Sequence, residues 1–505
     1  MTTYEQFAMD AEKHRTIPVV ETFYTDILTP VHMFHALKEE AVYMLESKEP
    51  DSPWSNFSFI GLNPMVEIEG QHGSFIIKDL EKTKKITKHT FQEAFDYVVK
   101  MLDVSIPDID IPFRGGAVGY ISYDSISDYE PVPPPADEGG SLPDYHLLFC
   151  RTLLAYNHRS KEVTVLNFAQ TDADADLEAV YTDSRRIIAD IRQRLAGQIT
   201  LTDLMLPGNL EVNREIKFKS NYEKEKFKND VLKIKTHIEA GDILQAVLSQ
   251  RFETKTDRNG FELYRVLRHV NPSPYMYYLK FNGVEVIGSS PERLLQVQDN
   301  RLEAHPIAGT RKRGTTQAED DRLAEELLND EKEISEHRML VDLARNDIGR
   351  VSAFGTVEVS EYMVIGRFSK VMHIISKVNG TLREDVSPID AFISSFPAGT
   401  LSGAPKVRAM QILRELEPTP RNLYGGSILY LGFDGNMDSC ITIRTMTLSE
   451  GSLYIQAGAG VVADSDPESE YQETVNKASA LEKTVQITET IFGAEAAAEP
   501  AKGGQ

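Results

Sequence analysis

The pattern of apolar and polar positions changes character along this chain. Across residues 18–170 the apolar residues come in short runs between turn formers, which predicts strands. Phe57-Ser-Phe-Ile60 and Met65-Val-Glu-Ile-Glu69 alternate as half-buried strands do, and Gly115-Gly-Ala-Val-Gly-Tyr120 reads as a tight Gly-rich strand. Residues 145–155 and 162–168 predict a hairpin, and the prolines of 131–135 with Asp137-Glu-Gly-Gly140 predict a loop. Residues 177–195 carry the helical period, stopped at Gly197, and 199–214, with Pro207 and Gly208, reads as a linker. From Asn221 onward helices and strands mix. Helices are predicted at 222–240, 316–347 and 402–416, and strands at 243–252, 284–288, 424–433, 439–448 and 452–458. A last helix begins at Ser465 or Asp466, and the Ala/Gly-rich tail 493–505 should fray. Strands and helices come in runs without regular alternation, which favours an α+β fold over a doubly wound sheet. The pattern divides the chain into an N-terminal region, 18–170, a helix and linker, 171–220, and a larger domain, 221–487.

Composition narrows the function. The 505 residues are 41% hydrophobic and 26% charged, ordinary for a globular protein. The formal net charge of −23 argues against nucleic acid or an anionic membrane as partner. It also means that an anionic substrate would need local cations. The two cysteines, Cys150 and Cys440, have no metal-site spacing and fit a reducing cytoplasm. The first residues lack the apolar core of a signal peptide, and no run approaches the roughly 20 apolar residues that span a bilayer.

Six segments carry candidate chemistry. In Gln456-Ala-Gly-Ala-Gly460 the near absence of side chains lets backbone approach a ligand. On the helix that follows, Glu470, Glu473 and Lys477 share a face, as a solvated acidic surface would, or as carboxylates holding a hard cation would. Gly309-Thr-Arg-Lys-Arg313 is a basic turn in an acidic protein, suited to an anion or simply to the surface. Glu333 and Glu336 lie one helical turn apart and repel each other unless a cation intervenes. Phe396-Pro-Ala-Gly-Thr-Leu-Ser-Gly-Ala-Pro405 reads as a helix start, with Ser402 as cap, able to face an anion. His373 sits among apolar strand residues, where a core histidine is the ordinary reading. Arg444 alternates with apolar residues on a strand, so its guanidinium needs an anionic partner, a protein carboxylate or a ligand.

Taken in order, His305-Pro-Ile-Ala-Gly-Thr310, Asp342-Leu-Ala-Arg-Asn-Asp347, the 396–406 segment, Tyr424-Gly-Gly426 and Gln456-Ala-Gly-Ala-Gly460 resemble the chorismate-binding enzyme family, most closely its anthranilate synthase component I branch. The resemblance is dense over about 222–485 and looser over 18–170. It implies a large αββα sandwich of two packed, mostly antiparallel sheets, with the active site in the cleft. It implies Mg²⁺ held by Glu336 and Glu473, with Glu333 and Glu470 beside them. By the same resemblance Gly309, Thr310, Tyr424, Arg444, Gly458, Ala459 and Gly460 contact chorismate, joined by Thr400 and Lys477. Glu292 matches a general acid for the departing ring hydroxyl, which requires a carboxyl kept neutral near pH 7. His373 matches the histidine of pyruvate elimination.

Two positions choose among the family's reactions. Isochorismate and salicylate synthases resemble this domain but carry a water-activating Lys where this chain has Gln245. Aminodeoxychorismate synthase typically carries a nucleophilic Lys where this chain has Ala308. Without either Lys, ammonia is the expected nucleophile, giving anthranilate and pyruvate, the first committed step of tryptophan biosynthesis. Leu45-Glu-Ser47 and Asn271-Pro-Ser-Pro-Tyr-Met276 resemble a tryptophan-binding element, which implies feedback inhibition through Ser47, Pro274, Tyr275 and Met276. Neither cysteine sits in the glycine-flanked turn of an amidotransferase nucleophile. Ammonia is therefore expected from a separate glutamine amidotransferase subunit, making a cytoplasmic hetero-oligomer.

Overall fold

The computed structural model describes residues 1–47, 56–136, 142–171, 174–197, 205–208, 210, 212, 215–368 and 371–498. Its N-terminal part contains strands β1 (Thr16–Tyr24), β2 (Ala41–Ser47), β3 (Phe57–Gln71), β4 (Ser74–Asp79), β5 (Lys84–Lys88), β6 (Gly116–Ile121), β7 (Tyr145–Asn157) and β8 (Glu162–Gln170). Helices α1 (Tyr4–Ala11), α2 (Pro30–Ala36), α3 (Phe91–Leu102) and α4 (Leu177–Leu195) accompany them. Then come β9 (Lys219–Ser220), α5 (Lys224–Glu239), β10 (Gln245–Lys255), α6 (Gly260–Val270), β11 (Tyr275–Phe281), β12 (Val284–Ser290), β13 (Arg293–Gln298), β14 (Arg301–Ala304) and β15 (Ile307–Lys312). After α7 (Gln317–Leu328) and α8 (Glu331–Gly349) follow β16 (Glu358–Arg367), β17 (Val371–Thr381), α9 (Pro388–Ser395), α10 (Gly399–Ser402), β18 (Gly403–Ala404) and α11 (Lys406–Leu416). The chain closes with β19 (Ser427–Gly432), β20 (Met437–Ile441), β21 (Thr445–Ser449), β22 (Ser452–Val461) and α12 (Pro467–Ala498).

Following the ladders gives two antiparallel sheets. One runs β1-β8-β7-β3-β2-β11-β12-β21-β22-β10. The other runs β5-β4-β3-β7-β6-β19-β20-β13-β14-β17, with β15 and β16 also on β17. The β3–β7 pair belongs to both. It passes from one sheet to the other at a register shift between Pro64 and Val66, where a bulge bends the strands. The N-terminal region thus completes both sheets, through β2 on β11 and β6 on β19.

Burial explains the layering. Phe59, Val118, Tyr120, Tyr277, Leu279 and Leu295 pack between the sheets in one large cluster. The opposite face of the first sheet receives Leu263 and Leu267 of α6 and Ala478, Leu481 and Val485 of α12. Helices α8 and α9 cover the second. An α+β sandwich of two packed antiparallel sheets between helices, as the sequence predicts, is what the chain forms.

The departures have local causes. Region 18–170 reads as strands, yet it holds α2 and α3. Thr90 caps α3 through the Glu93 amide, and Phe91, Ala94, Phe95, Val98 and Leu102 bury one helical face. The stretch 316–347 breaks in two because the Asp330 side chain caps a new helix at the amides of Lys332 and Glu333. The helix expected at 402–416 starts at Lys406. Ser402 is not its cap, since its hydroxyl donates to the Ala398 carbonyl at 2.9 Å. Gly403 separates the pieces at φ +137°, where a Cβ would lie 2.2 Å from the Gln245 carbonyl. The expected strand 439–448 breaks at Arg444, which has φ +52°. Helix α12 continues to Ala498, beyond the point where fraying is predicted. The 137–140 loop and most of the 199–214 linker lie outside the described residues.

Candidate active site

Gly458, Ala459 and Gly460 lie in strand β22, which runs beyond the 452–458 that the pattern predicts, opposite Ser249, Leu248 and Val247 of β10. Their bareness still has a steric reason. A Cβ on Gly458 would sit 2.7 Å from the Tyr424 hydroxyl, whereas one on Gly460 would meet nothing within 4 Å. Gly458 is thus buried against a buried tyrosine, while Gly460 is exposed. Lys477, one turn into α12 beyond Glu473, donates to the Gly458 carbonyl at 3.1 Å and pairs with Glu473 at 2.6 Å. Arg444 is not on a strand. It occupies the break between β20 and β21, its carbonyl held by the Ser289 amide at 3.1 Å. Its guanidinium donates to the Lys477 carbonyl. Burial pushes its pKa down, with Tyr424 and Glu473 opposing, so a ligand anion would be favoured there.

Glu292 stands just before β13, and Thr400 of α10 donates to its Oε1 at 3.0 Å. Burial pushes its carboxyl up to about 7, with the Thr400 hydroxyl and the Lys477 charge pulling the other way. Such a group exchanges a proton at neutral pH. His373, on β17, donates through Nδ1 to the Gly309 carbonyl at 2.8 Å, with the Thr310 hydroxyl at 3.2 Å. Burial lowers its pKa, which keeps the ring neutral and leaves Nε2 as the basic nitrogen. Gly309, at φ +65°, lies against α8, where a Cβ would come 3.1 Å from a Glu333 oxygen.

The four candidate metal ligands come from the starts of α8 and α12, Glu333 and Glu470 in the first turns and Glu336 and Glu473 in the second. Glu336 is exposed by surface area, yet lost hydration raises its pKa and repulsion from Glu333 and Glu473 adds to it. Glu470 is raised by burial, then by Glu473. Carboxylates from two helices, with Glu336 and Glu470 raised in part by acidic neighbours, form a donor set suited to a divalent cation. No three of them converge within a single coordination shell. Among the described residues, the acidic group that does converge is elsewhere, at Glu67, Glu69 and His146. Lys78 already sits on it, 3.1 Å from Glu67 and 2.5 Å from Glu69, so it reads as a balanced ion network.

The basic turn has a different fate from the one considered. Arg311 pairs with Asp330 and Glu333, and Arg313 with Asp320, so these guanidinium groups serve the protein's own carboxylates. Ser47, Tyr275 and Met276 are brought together: β2 pairs with β11 in register Tyr275↔Ser47 and Met276↔Glu46. They line a cavity between the sheets, with Phe57, Tyr430 and Cys440 also in its wall. Pro274 is buried at the start of β11 but not in that wall. Sequence reasoning missed Arg421, Glu417 and Tyr123, which lie beneath the Tyr424 loop. The signal available was the adjacency of Arg421 to Tyr424.

The model of the chorismate binding enzyme family matches residues 40–483, most of the chain, and the chain belongs to that family. Within that family it falls in the anthranilate synthase component 1 branch. Anthranilate synthase component 1 of Bacillus subtilis (strain 168) is 51% identical over 490 residues, covering 96% of this chain and 95% of that one. The Aquifex aeolicus (strain VF5) protein of the same name is 44% identical, covering 95% and 96%. The crystal structure of anthranilate synthase component I from Streptococcus pneumoniae TIGR4 aligns with TM-score 0.74 and 35% identity, over 91% of this chain and 98% of that one. MenF, the menaquinone-specific isochorismate synthase of Escherichia coli, aligns at TM-score 0.68 and 18% identity over 95% and 98% of the two chains, a likeness of fold. No helix among the described residues is long and apolar enough to cross a membrane.

Proposed function

We propose that the chain converts chorismate and ammonia to anthranilate and pyruvate, in the cytoplasm, as the large subunit of a hetero-oligomeric anthranilate synthase. The observation that carries the mechanism is Glu292, a buried carboxyl at about pKa 7 beside Thr400. Arg444, Tyr424, Thr400 and Lys477, with the backbone of Gly458, Ala459 and Gly460 and that of Gly309 and Thr310, bind the substrate. Glu292 protonates the ring hydroxyl as it leaves and ammonia bonds at the ortho ring carbon. Water departs and an amino intermediate remains. His373 Nε2 then takes the ring proton at the aminated carbon while the enolpyruvyl C–O bond breaks. Pyruvate leaves and the ring becomes aromatic. Glu336 and Glu473, with Glu333 and Glu470 beside them, would hold Mg²⁺, which when bound neutralises substrate carboxylate in an acidic protein. Chorismate consumption with ammonium and Mg²⁺, followed by anthranilate fluorescence, tests the reaction. No anthranilate under those conditions would refute it.

The ammonia source follows from the cysteines. Both are buried and free, and burial raises both thiols far above the range of a nucleophile. A separate glutamine amidotransferase subunit is the partner that supplies what this chain lacks. The purified chain alone should therefore make anthranilate from ammonium salts and none from glutamine. Glutamine-dependent synthesis by the chain alone would count against the partner.

On the same reading, tryptophan acts as feedback inhibitor from the cavity of Ser47, Tyr275 and Met276, where the N-terminal region meets the larger domain. Its wall residue Arg293 directly follows Glu292, and Ile441, next to wall residue Cys440, donates its amide to the Glu292 carbonyl at 3.0 Å. A ligand there biases the site only by preferring one arrangement of these strands, and the coupling is reciprocal. Ser47→Arg should crowd the cavity, losing tryptophan inhibition while keeping most turnover. Full sensitivity in that variant would place the inhibitor elsewhere.

A further inference from the structure

We propose that Arg421 is a positioning residue that sets the shape of the substrate cradle, clamping the three segments that build it. Its side chain is 1% exposed. Nη1 donates to the Leu401 carbonyl at 2.6 Å, next to Thr400, and Nη2 to the Val247 carbonyl at 2.5 Å, on the strand position opposite Gly460. Nε and Nη2 both reach the Glu417 carboxylate at 2.7 Å. Glu417 accepts in turn from the Ser249 amide at 2.9 Å and hydroxyl at 2.7 Å, opposite Gly458. The Ser249 hydroxyl also accepts from Gln456 at 2.9 Å. One guanidinium therefore joins the α10 turn, the β10–β22 pair and, through its planar face 5.6 Å from the ring centre, Tyr424.

The N-terminal region supplies the other side of the clamp. Tyr123 stacks on the same guanidinium at 4.4 Å, and its amide donates to the Asn422 carbonyl at 2.8 Å. Asp124 holds the Asn422 amide at 2.7 Å and Arg414 at 2.6 Å. A buried ion pair is poor evidence of added stability, because the cost of removing both charges from water offsets their attraction. What this pair does supply is geometry: a rigid planar fork satisfies three acceptors and two rings at once. Lysine has a point charge and no plane, so it cannot do the same.

The proposal rests on Tyr424 and Gly458–Gly460 touching substrate, and the experiment separates the two. Chorismate is varied at saturating ammonium and Mg²⁺ for the parent, Arg421→Lys, Tyr123→Leu and Tyr424→Phe. A displaced cradle loses binding shared by ground state and transition state, which appears in KM. Arg421→Lys and Tyr123→Leu should each raise the chorismate KM about tenfold or more, with kcat falling by less than KM rises and the KM for ammonium unchanged. An unchanged chorismate KM in Arg421→Lys overturns the clamp, whatever happens to kcat. If Arg421→Lys does not fold, Glu417→Gln, which preserves volume, is read by the same split and by the same criterion. An unchanged KM in Tyr424→Phe instead removes Tyr424 as a substrate contact. A raised KM there beside an unchanged one in Arg421→Lys removes the clamp alone.

Discussion

Replacing Glu292 by Gln should lower kcat by about 10²- to 10⁴-fold, the range that a positioned general acid supplies, and leave chorismate binding within about threefold of the parent. The amide keeps the shape of the carboxyl and can still accept from Thr400, but it has no proton to give. The pH profile of the parent follows from the same group. Burial holds its pKa at about 7, and the reaction needs the protonated form, so turnover should fall as pH rises through about 7. Stability carries the matching sign. A carboxyl raised in the folded state binds its proton more tightly there than in the unfolded chain. Folding stability is therefore lost as pH climbs from the ordinary carboxylate range to about 7. Glu292→Gln, with nothing to ionise, should be at least as stable as the parent at pH 8. Rapid-mixing measurement of anthranilate fluorescence and equilibrium binding of chorismate separate the two effects. A variant that binds weakly but turns over normally would place Glu292 among the binding groups instead.

How much of this was legible before the fold was known differs from residue to residue. The helix Leu177–Leu195 was readable to the residue, because a full amphipathic period ends at a glycine. The β7–β8 hairpin was readable because apolar and β-forming residues dominate each strand and turn residues lie between them. Helix α3 was not read, although its buried face has helical spacing, because it sits among strand-like runs. Breaks at single residues were the least legible. Arg444 reads as strand from its neighbours, and only the fold forces it to positive φ, where its carbonyl meets the Ser289 amide. Such local strain, of order 1–3 kcal/mol, persists where surrounding structure fixes it, and here it turns a guanidinium toward the Tyr424 side of the cleft.

The site divides in the same way. The family resemblance nominated Glu292, His373, Gly309 and Tyr424, because chemistry restricts which residue types can stand there. Their electrostatic settings could not be read. The value of Glu292 depends on burial, opposed by Thr400 and Lys477, which are distant in sequence and meet it only through α10 and α12. Arg421 was invisible for the complementary reason. It touches no reactive atom, and its importance lies in carbonyls of Leu401 and Val247 that any sequence would supply.

The facing acids give the second large expected effect. Glu336→Gln and Glu473→Gln should each abolish turnover at limiting Mg²⁺, with the fold intact. The acids lie in the second turns of separate helices, and Glu336 titrates high because of lost hydration and then because Glu333 and Glu473 repel it. That repulsion opposes the metal-free fold by a few tenths of a kcal/mol for each like-charge neighbour. Removing one charge should thus leave the metal-free Tm of Glu336→Gln equal to or above the parent's, the opposite of what a lost structural contact would do. Divalent binding requires ionised carboxylates, so Mg²⁺ should raise the parent's Tm more at pH 8 than at pH 5. In the Gln variants that increment should shrink or vanish at both. Thermal melts across Mg²⁺ concentration, run beside turnover, read the assignment twice. An undiminished Mg²⁺ increment in both variants would move the cation away from these glutamates, even if activity were lost.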